Sequence, residues 1–440
     1  MTILNRFLLY AFYLLLAYMP FHIFLSQWLS TYTGGLDYWK VGKDVFLAVA
    51  VIFGLGLVWY KRRFKDRLFW TFVAGSAAYF LIHLLVWAAN PQIDSQAALL
   101  AAAYNSRLLA YAVLGWSVGL LARNVRGPTF HKKTVFKVAI AVSSVVAGLG
   151  VLQYFLPKDL LTHFGYTLER GVMPAFFIDA KPDLPRIMST LRDPNSLGAY
   201  LILPITLLWA AWLKYPKTRI LLSGLLLLHG LALFLTFSRS AWVGAFLALA
   251  VFTIWTYKTQ TLSFTKKYWP LLLLAVSCLL LATFLLRDQY VVQNYVFHSD
   301  ENTQLTDSNN LHAIYAQKGL EGVAAMPFGH GPGTAGLVSI QTDDVVLTEN
   351  YFIQIAYEVG LHGLILLLAL MWFVLRILYK RNDPYAKILI AAFIGITFCN
   401  FLLHTWSNEA VAAQWWLLAG ICLSMEANRP IARRLKTKVV

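Results

Sequence analysis

Residues 349–363 read ENYFIQIAYEVGLHG and lead directly into an apolar run that ends near residue 379. They follow the longest polar interval in the chain, residues 287–348, which contains PFGHGPGTAG at positions 327–336. The rest of the chain consists mainly of apolar runs, and about 20 apolar residues are needed to cross a bilayer as a helix. A polar interval of this length therefore predicts a large loop outside the lipid, where chemistry can be housed.

The composition is that of a membrane protein. Of the 440 residues, 59% are hydrophobic and only 13% are charged, whereas soluble domains carry roughly 25% charged residues. The formal net charge of +16 comes from short basic clusters between apolar runs. That distribution is typical of cytoplasmic loops, so we expect a lipid bilayer and no nucleic acid as the partner of these charges.

The apolar runs predict an all-α polytopic fold with about twelve transmembrane helices and one large extracytoplasmic loop, residues 287–349. The predicted spans are centred on residues 7–28, 43–60, 68–89, 97–121, 134–156, 196–214, 219–237, 240–257, 269–286, 350–379, 386–404 and 409–426.

Basic clusters set the expected orientation. A Lys and Arg cluster follows every even-numbered span, such as Lys61, Arg62 and Arg63 after the second. Since cytoplasmic loops are enriched in these residues, both termini are expected to be cytoplasmic. We interpret residues 1–440 as a single membrane domain, with a motif region at 180–380.

Two arginines precede the sixth span. Asp193 suits a helix N-cap and Pro194 the first helical position, so Arg186 and Arg192 should lie beside an outward-facing helix N-terminus. Such termini favour anions, which suggests a phosphate or pyrophosphate site. The alternative is a capped helix whose arginines contact lipid headgroups.

Two more arginines belong to the apolar part of the chain. Arg239 occupies a short predicted turn, Ser238-Arg239-Ser240, near the outer membrane surface, where it can bind phosphate or extend to headgroups. Arg107 lies ten residues into the fourth span. An unpaired arginine there is costly, so it should face a cavity or a partner.

The outer loop offers two histidines as candidate substrate-binding residues. His330 is surrounded by Gly329, Gly331 and Gly333, which permit close backbone approach to a ligand, although a tight turn explains them equally well. His312 lies in a predicted amphipathic helix, 309–325, where a structural role is the alternative.

A polar stripe opens the tenth span. Asn350, Gln354 and Glu358 recur every four residues, which places them on one helix face, toward the bundle interior or a wet cavity. Glu349 precedes them and can serve as a general base if partly buried; its alternative role is to complement the helix dipole. Gly360 is expected to permit close helix packing.

With these residues the chain resembles the O-antigen ligase and O-antigen polymerase superfamily of bacterial envelope glycosyltransferases. Four segments carry the resemblance, in the expected order: residues 186–198, Thr236-Phe237-Ser238-Arg239, residues 327–333 and residues 349–363. The ligases commonly have His-Asn where this chain has Glu349-Asn350, and an arginine before the glycine motif where His312 is the nearest counterpart.

The resemblance implies a GT-C-like fold in the bacterial inner membrane. It also implies metal-independent, inverting transfer of a glycan from an undecaprenyl pyrophosphate carrier to a hydroxyl of an acceptor glycan or glycolipid, with no cofactor. By analogy, Arg192 or Arg186 with Arg239 would hold the pyrophosphate and Glu349 would act as the base.

Two other functions remain open from the sequence. A transporter or flippase of a lipid-linked glycan would account for Arg107 and the Gln354 and Glu358 stripe at membrane depth, although no paired broken helices in two halves are evident. A purely structural membrane scaffold explains neither the polar residues nor the loop.

Overall fold

The computed structural model describes residues 3–63, 66–122, 132–178, 184–258, 308–339 and 346–424, with positions 281, 284–287 and 289. Within these residues, 9 helices are long and apolar enough to cross a membrane, and two further apolar helices are shorter. The regular structure there is almost entirely helical. The prediction of an all-α polytopic membrane protein is confirmed.

The helices are α1 Ile3–Tyr18, α2 His22–Thr33, α3 Leu36–Tyr60, α4 Arg67–Ala89, α5 Ser95–Ala122, α6 Lys132–Phe155, α7 Pro194–Lys214, α8 Arg219–Leu235, α9 Arg239–Thr256, α10 Ser308–Ala325, α11 Gly336–Ser339, α12 Tyr351–Arg381, α13 Pro384–Asn400 and α14 Glu409–Ser424. The predicted spans correspond in order to α1–α9 and α12–α14, with α1 and α2 together forming the first. The predicted ninth span, 269–286, lies almost entirely outside the described residues.

Glycine residues allow two pairs of helices to pack at short distance. A Cβ on Gly244 of α9 would lie 2.6 Å from the carbonyl oxygen of Gly395 in α13. A Cβ on Gly420 of α14 would lie 2.4 Å from the carbonyl oxygen of Ala112 in α5. Glycine at these positions lets the backbones approach closely, as is usual where helices pack in lipid.

Between α6 and α7 the chain forms a compact segment at one end of the bundle. It contains short 3-10 turns at Leu160–Phe164 and Leu168–Arg170. An antiparallel pair follows, β1 Phe176–Phe177 and β2 Pro185–Arg186. The segment is attached to α2, because the Arg170 side chain donates to Gln27 Oε1 at 2.9 Å and to the carbonyl oxygen of the same residue at 2.9 Å.

The described part of the outer loop is folded against α12. The predicted helix at 309–325 is confirmed as α10, but its buried side differs from a simple apolar stripe. Gly319 and Val323 are buried, whereas Leu320 is 56% exposed. Glycines form this contact surface because the side chain of Ile353 lies next to Gly319 and the ring of Tyr357 lies next to Gly322.

Several helix ends meet at the same end of the bundle. Asn350, before α12, donates from Nδ2 to the Phe401 carbonyl at 2.9 Å, just after α13. Cys399 of α13 contacts the Ser240 carbonyl at the start of α9, with 3.2 Å between Sγ and O. The starts of α9 and α12 therefore both lie at the C-terminal end of α13, as the predicted topology requires for Arg239 and Glu349.

Candidate active site

A cavity of about 740 Å³ opens at this end of the bundle. We call it the end cavity. Its volume is within the range of about 300–1,000 Å³ that is usual for ligand sites. Its walls come from α2, α3, α5, the segment before α7, the first residues of α7, and the chain around α12 and α14. Residues far apart in sequence therefore share one concave surface.

One wall carries cations at the beginning of α7. Asp193 caps this helix as predicted, with the Ser196 N–H donating to its Oδ1 at 2.8 Å. Arg192 stands immediately before the cap and lines the cavity. The predicted arrangement of an arginine beside a helix N-terminus is thus present, and both features favour an anion.

Two further cations lie next to Arg192. Lys40 of α3 and Arg170 both line the end cavity, and Lys40 Nζ is 3.4 Å from the Arg170 carbonyl oxygen. The opposite charge of Asp37 and the like charges of Arg192 and Arg170 all act on Lys40. Three neighbouring positive side chains repel one another, so an anion bound among them would relieve that repulsion.

Arg107 forms a paired network in the same cavity. Its NH1 lies 3.4 Å from Asp44 Oδ1, and its NH2 lies 3.8 Å from Glu409 Oε2. NH2 also donates to the Ser407 carbonyl at 2.7 Å. As expected for a costly buried charge, Arg107 has acidic partners and also faces a cavity.

Both basic and acidic side chains line the end cavity. Five basic and five acidic side chains contribute to it: Lys40, Lys43, Arg107, Arg170, Arg192, Asp37, Glu169, Asp193, Glu349 and Glu409. Asp193 is engaged as a helix cap, and Glu409 neighbours Arg107. Lys40, Arg170 and Arg192 each have an acidic lining residue within three positions in the chain (Asp37, Glu169 and Asp193), so both signs of charge are mixed along this part of the cavity.

The carboxylate predicted as a base lines the cavity too. Glu349 lies just before α12 with a left-handed backbone, φ +49°, a conformation that is uncommon for residues other than glycine. Gln354, one turn into α12, and His404, after α13, complete this part of the wall. Asn350 is the N-cap of α12, and its Oδ1 accepts from the Phe352 N–H at 2.9 Å.

Arg186 supports the cavity wall without lining it. Its Nε donates to the Thr236 carbonyl at 2.9 Å, and its NH2 donates to Asn195 Oδ1 at 2.9 Å. Asn195 itself faces the cavity. The segments around residues 186–198 and 236–239, which carry part of the family resemblance, are therefore in direct contact.

Arg239 is the first residue of α9 and is half-buried. The connection between α8 and α9 is short, as predicted, but it covers residues 236–238, so Arg239 lies in the helix and not within the predicted turn Ser238-Arg239-Ser240. Arg239 is not among the residues that line the end cavity, although the start of α9 lies at the same end of the bundle. Its role in pyrophosphate binding stays a prediction.

The glycine motif contacts protein backbone. The His330 N–H donates to the Tyr357 carbonyl at 2.8 Å, and the Gly331 N–H donates to the Glu358 carbonyl at 2.9 Å. At this place α12 is kinked, with Gly360 at φ +74°. A Cβ on Gly360 would lie 2.6 Å from the Phe328 backbone. Gly360 therefore permits docking of the loop, and the expectation of simple helix packing was incomplete.

His330 belongs to this contact. Its ring stacks on Tyr357 with centroids 4.0 Å apart, and its Nε2 is 2.9 Å from the Gly322 carbonyl. It does not line the end cavity. His312 lies in α10, and its side chain is outside the described residues. For both histidines a role in substrate binding stays a prediction.

Glu358 is fully buried at the kink. Its Oε1 accepts from the Gly333 N–H at 3.1 Å, and its Oε2 accepts from Asn105 Nδ2. Asn105 also contacts His83 Nε2 at 3.3 Å. Gln354 lines the cavity and also hydrogen-bonds Glu358, which joins α5, α12 and the glycine motif.

Sequence reasoning missed several cavity residues. No functional role was predicted for four of them, because they lie near helix ends or in a loop without a recognisable motif: Lys40, Lys43, Arg170 and Glu409. The predicted eleventh span extends to residue 404, but α13 ends at Asn400. Asn400 is buried and accepts from the Trp406 N–H at 2.9 Å, whereas His404 lines the cavity.

The helices and the cavity define a class of protein: a multi-pass membrane protein with a charged cavity at one end of its helical bundle. Residues 224–368 match the family model described as O-antigen ligase. This match, over about a third of the chain, supports the resemblance to the O-antigen ligase and polymerase superfamily. The matched region includes the glycine motif, Glu349 and the kink of α12.

The description of the matching model suggests a ligase or glycosyltransferase type of activity. None of the curated proteins matches the chain. The family match begins in α8, so the cations at residues 40, 170 and 192 lie outside it.

Proposed function

We propose that this protein transfers a glycan from an undecaprenyl pyrophosphate carrier to an acceptor hydroxyl, with inversion and without a metal ion. One observation carries the proposal: Arg192 and Glu349, separated by more than 150 residues, line the same cavity. The cavity thereby combines a cation beside a helix N-terminus with a carboxylate on another wall.

The cations suit the leaving group. When the sugar–pyrophosphate bond breaks, negative charge grows on the pyrophosphate, and preorganised positive groups stabilise that change. Arg192 and Lys40 supply such groups inside the cavity. Arg186 holds Asn195 in the wall beside them. Arg239, at the same end of the bundle, is proposed as a further contact to the carrier.

The carboxylate suits the acceptor. A hydroxyl must lose its proton as it attacks, and a side chain within reach can accept that proton. Glu349 is the residue that the sequence suggests as the general base, and it lines the cavity. Inversion follows if the acceptor enters from the side of Glu349 while pyrophosphate leaves toward Arg192.

The proposed location is the outer face of the cytoplasmic membrane, with both termini inside. The end cavity lies where α7, α9, α12 and α14 begin. Basic clusters follow the opposite ends of several helices, such as Lys380 and Arg381 at the end of α12. Under the positive-inside rule, that opposite end is cytoplasmic. The prenyl chain can then remain in the bilayer beside the helices.

The test uses the purified protein in vesicles with an undecaprenyl pyrophosphate-linked glycan and an acceptor. Mass spectrometry measures the new glycan product and the released undecaprenyl pyrophosphate. We expect Arg192→Ala and Glu349→Ala each to lower product formation by at least 100-fold with unchanged expression. Arg239→Ala is expected to do the same if this residue contacts the carrier.

The matched control is Lys217→Ala, an exposed cation after the end of α7 that lies away from the cavity; it should keep full activity. Full activity of both Arg192→Ala and Glu349→Ala would refute the proposed roles. Movement of the lipid-linked glycan across the vesicle membrane without product would instead indicate a flippase. Product length separates the two family activities, since a polymerase joins repeats and a ligase attaches a chain to a different acceptor.

A further inference from the structure

Two amide side chains line the end cavity, and the proposed transfer has not yet used them. They are Asn105 of α5 and Gln354 of α12, and both are buried. Although they come from different helices, both hydrogen-bond to the carboxylate of Glu358. We call Asn105 and Gln354 the amide pair.

Glu358 holds the amide pair from below. Its Oε2 accepts from Asn105 Nδ2, and its Oε1 accepts from the Gly333 N–H at 3.1 Å. The side chain of Gln354 and the backbone of Ala335 also hydrogen-bond to it. An ionised carboxylate can only accept hydrogen bonds, and each of these partners can donate. The amide of Gln354 therefore directs an N–H toward Glu358.

His83 fixes the orientation of the Asn105 amide. Its Nδ1 lies 2.9 Å from the Tyr79 carbonyl oxygen, which can only accept, so Nδ1 carries a proton. Because an unpaired buried charge is costly, the fully buried ring of His83 is neutral. Its Nε2 then accepts from Asn105 Nδ2 at 3.3 Å. Both amide hydrogens of Asn105 are thus used, and its Oδ1 is the polar atom that it can offer to the cavity.

The amide of Gln354 is also restricted in position. A Cβ on Gly336 would overlap it, so the amide packs directly against the backbone at the end of the glycine motif. After one N–H is directed to Glu358, a second N–H and Oε1 remain. The amide pair can therefore present an acceptor from Asn105 and both a donor and an acceptor from Gln354.

We propose that the amide pair is a subsite for an uncharged sugar of the carrier-linked glycan, with Glu358 as its positioning residue; the ligand class rests on the proposed glycan transfer. Sugar hydroxyls both donate and accept hydrogen bonds, as these amides do. The amides carry no charge, and the carboxylate behind them disfavours a further anion. The pyrophosphate accordingly binds at Arg192 and Lys40, and the sugar binds at the amide pair.

The experiment compares two kinds of ligand by calorimetric titration of the full-length protein in detergent, without an acceptor. One is undecaprenyl pyrophosphate that bears glucose or N-acetylglucosamine, and the other is undecaprenyl pyrophosphate alone. The measured quantity is the ratio of the two affinities. A hydrogen bond between neutral groups contributes a factor of about 2–12. We expect the wild-type protein to bind the tighter of the sugar-bearing carriers at least about fivefold more strongly than the bare carrier.

Substitutions at the amide pair should remove this preference. Gln354→Met keeps the length of the side chain without its amide, and Gln354→Asn withdraws the amide by one methylene. Both should lower the ratio by about fivefold and leave the affinity for the bare carrier unchanged. Glu358→Gln should lower the ratio in the same way, whereas a merely structural role of Glu358 would reduce both affinities together.

Two further variants serve as controls. Lys40→Ala should weaken both ligands and keep their ratio, because it removes a cation from the cavity. Gln414→Met replaces a buried glutamine of α14 that does not line the end cavity, and it should keep both affinities.

Equal affinity of the wild-type protein for sugar-bearing and bare carriers overturns the proposal, whether or not any variant folds. A ratio within twofold of wild type in Gln354→Met and Gln354→Asn overturns it as well. Transfer of glycan without a sugar preference in binding refutes the subsite and leaves the proposed function. A sugar preference that depends on Gln354, in a protein that forms no transfer product, refutes the proposed function and leaves the subsite.

Discussion

The end cavity lies at the beginning of α12, and the kink lies further along the same helix. Each of these two regions contains a glutamate and a histidine. In the cavity, Glu349 and His404 face a space of about 740 Å³. At the kink, Glu358 is fully buried and His330 is stacked on Tyr357, with protein groups accepting or donating their hydrogen bonds.

The difference shows how to separate structural from functional polar residues in a membrane protein. A buried polar group is costly unless it is paired. At the kink the protein pairs such groups with its own backbone, which joins the outer loop to α12. In the cavity, similar groups surround a volume that a charged ligand can enter. Substitutions should therefore affect stability at the kink and activity in the cavity.

The largest expected effect is at the glycine of the kink. Gly360→Val places a branched side chain at φ +74°, where its Cβ would lie 2.6 Å from Phe328 backbone. Strain and overlap together should cost at least about 4 kcal/mol. Thermal unfolding in detergent should show loss of the folded protein. Gly224→Ala is the control, since no heavy atom lies within 4 Å of a Cβ there; wild-type stability of Gly360→Val would disprove the docking role.

An intermediate effect is expected at the two glutamates. Glu358→Ala leaves the Gly333 N–H and Asn105 Nδ2 without their acceptor, and each unpaired buried donor costs about 1–3 kcal/mol. We expect about 3 kcal/mol of destabilisation from chemical or thermal unfolding. Glu349→Ala should destabilise the protein less than that, because Glu349 is only partly buried and lines the cavity. Equal destabilisation by the two substitutions would remove the distinction between the regions.

The smallest expected effects are those of replacing a histidine at the kink and a lysine in the cavity. His330→Ala should lower stability by about 1–2 kcal/mol, through the lost hydrogen bond and ring contact, without changing affinity for undecaprenyl pyrophosphate. Lys40→Ala should weaken that affinity by about tenfold or more, since bonds to charged groups contribute about 1.5–3 kcal/mol, with nearly unchanged stability. Calorimetric titration and thermal unfolding measure the two quantities; the reverse pattern would contradict this assignment.

Most of the membrane fold could be predicted from the sequence, because apolar runs indicate the segments that cross the bilayer and basic clusters indicate its cytoplasmic side. The cap at Asp193, a short connection between the seventh and eighth spans and the helix at 309–325 were also predicted, since caps, turns and helices depend on local residues. The glycine motif was harder. Its glycines indicate close approach, but only the structure shows that the approaching partner is the kinked backbone of α12.

The site itself was predicted only in part. Arg192, Arg107, Glu349 and Gln354 were identified, because charges in or beside apolar runs are conspicuous. Lys40 and Arg170 were missed, since each lies near a helix end or in a loop where basic residues are ordinary. His404 fell at the end of the predicted span 386–404, whereas α13 ends four residues earlier, at Asn400.

The sequence by itself determined that this chain crosses a membrane many times, that one large loop interrupts the spans, and to which superfamily the chain is related, because hydropathy and local motifs are properties of adjacent residues. Only the tertiary structure decided which polar groups line the cavity and which form hydrogen bonds at the kink of α12. That choice depends on how helices α3, α5, α7, α12 and α14 pack, and packing brings together side chains that no local pattern connects.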